Sequence, residues 1–137
     1  MPKRVHKDGE AYRYMENARE LLKATSIEDK IYPDRKPVRE AFGTAYLAVL
    51  EAINEVLLKK GLTIKELPKS VDGYRAALQK HLAVNNGKLM RDFESLYEVL
   101  HIAGYYRGLI TRVTMVKDAM NDTEDFIRKL LPKVPTQ

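Results

Sequence analysis

The residue pair with the most ligand-like spacing is Glu98 and His101, a carboxylate and an imidazole three positions apart in Glu98-Val99-Leu100-His101. On an α-helix that spacing puts both groups on one face. Di-metal helical bundles use two such pairs together with two further inward glutamates. This chain has one pair, so it reads as a half-buried histidine beside a surface glutamate, with no metal and no cofactor.

A second pair, Arg75 and His81, carries the residue types for metal-independent RNA cleavage. The arginine would hold a phosphodiester and the histidine would move a proton. Six positions on a straight helix is a rotation of about 600°, which leaves the two side chains on different faces. Leu78 and Leu82 flank His81 and make it a packing residue first. The third histidine, His6, stands in a basic terminal stretch. Ser26, Ser70 and Ser95 read as a loop residue, a helix cap and a helix-surface residue, and no G-x-S-x-G turn or phosphate-cradling glycine loop occurs.

Tyrosine is the third feature. There are eight tyrosines against three phenylalanines and no tryptophan, and Tyr97, Tyr105 and Tyr106 fall on one predicted helix. A tyrosine ring packs while its hydroxyl reaches water or a partner. These three are the candidate interaction surface, with a bundle rim as the plainer reading.

The elements that must carry these residues are all helical. Ala11, Tyr14, Met15, Ala18, Leu21 and Leu22 predict a helix over about 8–25 with Asp8 as N-cap. A connection through Pro33 follows, with Ile27, Ile31 and Tyr32 pinning it to the bundle. Val38 to Val56 form a continuous apolar seam over about 37–60, widened by Tyr46, Leu50 and Leu57. Gly61-Leu62 has the form of a Schellman stop. Thr63 to Glu66 has capping-box spacing, cut short by Pro68.

A third helix is predicted over about 70–85, a fourth over 88–107 and a fifth over 111–131. The periodicity does not say whether the last two are one bent helix or two. Gly104 and Gly108 weaken the end of the fourth. Short connections between long amphipathic helices favour antiparallel neighbours. The expected fold is therefore all-α, an up-and-down four-helix bundle of four to five helices.

The bulk composition agrees. A chain of 137 residues, 45% hydrophobic and 31% charged, is one domain with a core over about 8–131. The basic residues 1–7 and the segment 132–137 read as tails. Lys and Arg exceed Asp and Glu by 24 to 19, a scattered net charge of +5, so nucleic acid is not the expected partner. No cysteine is present, which fits a reducing cytoplasm. No apolar run approaches the roughly 20 residues of a membrane span, and the N-terminal stretch does not read as a secretory signal.

Two stretches carry a family resemblance. Ala45-Tyr46-Leu47-Ala48-Val49-Leu50-Glu51-Ala52, continuing to Leu57-Leu58-Lys59-Lys60-Gly61-Leu62, and Leu96-Tyr97-Glu98-Val99-Leu100-His101-Ile102-Ala103-Gly104-Tyr105 resemble the HEPN superfamily of helical bundles. The nearest branch is the nucleotidyltransferase substrate-binding-like one, and the likeness spans about 38–131. It implies a helical bundle and a nucleotidyltransferase-type protein partner. The polar positions of that branch hold Glu51, Leu100 and Gly104 here. The polar residue that RNase members set between arginine and histidine corresponds to Ala76. The missing polar constellation, with the excess of tyrosine and small residues on long helices, predicts a non-catalytic binding module self-associating as a homodimer. A ribonuclease using Arg75 and His81 is the alternative, and a nucleic-acid-binding bundle the second.

Overall fold

In the computed structural model, which describes residues 9–132, every regular element is helical. Helix α1 runs Glu10–Lys23 and α2 runs Arg35–Lys59. A 3-10 turn, Ile64–Glu66, precedes α3, which begins as an α-helix at Val71–Ala77 and widens into a π-helix over Leu78–Leu82. Helix α4 has the same two-part build, α-helical at Gly87–Leu96 and π-helical at Tyr97–Tyr106. Helix α5 is Val113–Leu130. The last two helices are thus separate, broken at Gly108, whose φ of +61° stops α4.

The caps follow from local chemistry. Asp34 accepts from the Lys36 N–H, Ser70 from Gly73 and Asn86 from Leu89. Asp8, expected to cap α1, lies outside the described residues. Gly9, at φ +86°, occupies the cap position without a side-chain cap, and its N–H donates to Glu55 Oε1 at 3.0 Å. The stop of α2 is a full Schellman motif: Leu62 N–H reaches Leu57 O at 3.2 Å and Gly61 N–H reaches Leu58 O at 3.0 Å.

Helix α2 is the centre of the molecule, packed against α1, against the π-helical half of α4 and against α5. Its length and composition alone would let it cross a membrane. Arg39, Glu40, Glu51 and Asn54 interrupt its apolar residues, so they form no uninterrupted run of that length. Those apolar residues are spent on the core: Phe42, Val49, Ile53 and Leu57 are fully enclosed. Phe93, Leu100, Met120, Phe126 and Ile127 meet them from α4 and α5.

The connection between α1 and α2 is held differently from the expectation. Tyr32 is buried, but the side chains of Ile27 and Ile31 are 52% and 42% exposed. Backbone takes over their role. Tyr32 N–H donates to Thr111 O at 2.9 Å, and Val113 N–H donates to Lys30 O at 3.0 Å. The loop is thereby tied to the one between α4 and α5, which satisfies backbone groups that apolar contact could not.

Candidate functional site

A π-helix closes i→i+5 hydrogen bonds, adding nearly a residue to each turn. Side chains four apart then fall almost in line, whereas those three apart diverge. Over Tyr97–Tyr106 this builds an aromatic ladder. The rings of Tyr97 and His101 stack at 5.5 Å between centroids, and those of His101 and Tyr105 at 6.0 Å. Tyr46 of α2 faces the ladder, 4.9 Å from His101 and 5.9 Å from Tyr97. The same geometry parts Glu98 from His101: the carboxylate is exposed and the imidazole sits half-buried among three tyrosines. Among the described residues no group of three or more potential ligands could hold a metal ion.

One end of the ladder is closed by Arg75. Its guanidinium lies 5.3 Å from the centre of the Tyr97 ring, makes two bonds to Glu94, one of them 3.1 Å, and another to Asp72 at 2.7 Å. These hydrogen bonds raise its pKa further above the usual arginine value. Tyr46, buried beside it, is pushed up to about 12, first by burial and then by the neighbouring Tyr97 and Tyr74. The next layer is a buried pair, Tyr74 donating to Asn54 at 2.9 Å.

The other end is open. Glu40, Gly43, Thr44 and Leu47 on α2 and His101 and Tyr105 on α4 line a cleft of about 410 Å³. Gly43 sets its width, because a Cβ there would stand 2.8 Å from the Tyr105 ring. Leu47 and Tyr105 flank the mouth at 48% and 45% exposure. Above it Arg39 donates to the carbonyls of Tyr105 and Tyr106, each at 2.8 Å, and so caps the helix end.

Of the predicted surface tyrosines, Tyr105 and Tyr106 are exposed, Tyr106 at 71%, while Tyr97 is half-buried with Arg75 over its ring. Arg75 is brought to the ladder, and His81 takes part in none of these contacts. Leu47 was missed from sequence, where it counts as one more apolar residue in an apolar helix. The spacing of Tyr97, His101 and Tyr105 by fours is the one signal that could have revealed the ladder.

Over residues 6–131 the chain matches the family described as "Domain of unknown function (DUF5618)". It belongs to that family. A solved structure, a protein of unknown function from Dyadobacter fermentans, is 32% identical with a TM-score of 0.70. That match covers 88% of this chain and 89% of the other. No curated protein matches. The DUF5618 chain thus shares its helical fold with a relative at useful identity, and its site must be argued from its own residues.

Proposed function

We propose that this protein is a non-catalytic interaction module, an up-and-down four-helix bundle of HEPN type, that pairs with a second copy of itself through the face between α2 and the π-helical half of α4. The bundle is α1, α2, α4 and α5, with α3 set beside it. The observation that carries the reading is the half-exposed pair Leu47 and Tyr105 at the mouth of an apolar cleft. Large apolar side chains gathered at a concave surface are characteristic of contact sites, and tyrosine is enriched in them. The resemblance adds a nucleotidyltransferase-type protein as the partner for a heteromeric use of the same face, and the cysteine-free composition supports a cytoplasmic setting.

Arg75 supports the non-catalytic reading over the ribonuclease one. Its donors are already committed to Glu94 and Asp72, so a phosphodiester would have to displace two carboxylates. Wild type and an Arg75→Ala, His81→Ala variant are expected to leave RNA equally intact.

Light scattering across a concentration series tests the pairing. The wild type should reach the dimer mass, and Leu47→Glu or Tyr105→Glu should return it to the monomer. A wild type that stays strictly monomeric at high concentration removes the proposal.

A further inference from the structure

On another part of the molecule, the C-terminal end of α1, the following connection and α5 enclose a second groove of about 300 Å³. Its lining is apolar at Leu22, Tyr32 and Met120 and cationic at Arg19, Lys23 and Lys117, with no acidic residue among the lining groups. Arg19 is held by Glu124 at 3.3 Å and Asn121 at 3.2 Å. The exposed Lys23 and Lys117 form no ion pair among the described residues. Thr25, also at the groove, donates its hydroxyl to Leu21 O at 2.7 Å.

Tyr32 differs from Thr25. It is 3% exposed, and its hydroxyl has no hydrogen-bond partner among the described residues. Buried phenols are ordinarily paired, and one that is not calls for an explanation at its site. Burial raises its pKa, so at neutral pH the group is an O–H donor seeking an acceptor.

We propose that this groove binds a small aliphatic carboxylate, its tail on Leu22, Met120 and the Tyr32 ring and its carboxylate facing the Tyr32 hydroxyl and the ammonium groups of Lys23 and Lys117. The combination is selective: the apolar floor excludes simple inorganic anions, and the cationic rim excludes amines of the same shape. The volume lies at the small end of ligand sites and suits a short tail. The site is independent of the pairing face between α2 and α4.

The test is an NMR titration of the full chain with hexanoate, beside hexylammonium as a probe with the same tail and opposite charge. Hexanoate should shift the Tyr32, Leu22 and Met120 signals saturably, with hexylammonium at least about tenfold weaker. The Lys23→Glu, Lys117→Glu variant, changed only at exposed positions, should reverse that order. Tyr32→Phe should weaken hexanoate severalfold. An absent or unsaturable response to hexanoate, an equal response to both probes, or an unchanged order in the double lysine variant would overturn the proposal.

Discussion

The ring of Phe42 on α2 lies directly over the backbone of Gly104 on α4, so close that a Cβ on residue 104 would stand 2.8 Å or less from its ring atoms. Position 104 is closed to any side chain unless the Phe42 ring shifts. Gly104→Ala should destabilise the fold by about 1–3 kcal/mol through overpacking. Shortening the opposing ring in a Phe42→Leu, Gly104→Ala double variant should recover part of that loss. Additive losses in chemical denaturation would mean that the ring and the glycine are not coupled.

Arg75 combines a forked pair to Glu94 with a cation–π contact over the Tyr97 ring. Lysine keeps the charge but has neither the fork nor the planar face. Arg75→Lys should therefore lower the thermal midpoint nearly as far as Arg75→Ala does. A lysine variant indistinguishable from wild type would reduce the contact to simple charge.

The helices themselves were legible because apolar residues recur at spacings of three and four and because Ser70 and Gly61 stand where a cap and a stop need them. Residues such as Met15, Phe42, Phe93 and Met120 fall in the core as their periodicity requires. The π-helical halves of α3 and α4 were not legible. One extra residue per turn leaves composition unchanged and shifts only which side chains align. The assembled ladder was hidden for the same reason, since Tyr46 and Arg75 reach it from other helices. Ile27 and Ile31 misled because apolar character in a loop was read as side-chain anchoring, whereas backbone bonds to residues 111 and 113 do the holding.

Gly61 isolates a backbone effect. Its φ is +107°, and no atom lies within 4 Å of where its Cβ would stand. Gly61→Ala should cost about 1–2 kcal/mol from conformation alone. Gly61→Asn should cost less, since asparagine tolerates left-handed backbone better. Equal stability of the alanine variant and wild type in urea would show that α2 can end without the Schellman turn.

Tyr46 makes the protein sensitive to alkali. Its phenol is held neutral up to about 12 in the fold, against an unfolded value near 10. Because the folded pKa is the higher one, the stabilisation is complete below about pH 10 and is lost as pH rises from there through the folded value. Across that window the loss attributable to this residue is about 3 kcal/mol, at 1.36 kcal/mol per unit. Wild type should therefore lose urea resistance steeply above pH 10, and Tyr46→Phe, which cannot ionise, should lose distinctly less. Near-ultraviolet tyrosinate absorbance should show that the last phenol to titrate in wild type is absent from the variant. Parallel stability curves for the two proteins would place the alkaline weakness at another tyrosine and leave the burial of Tyr46 without its thermodynamic consequence.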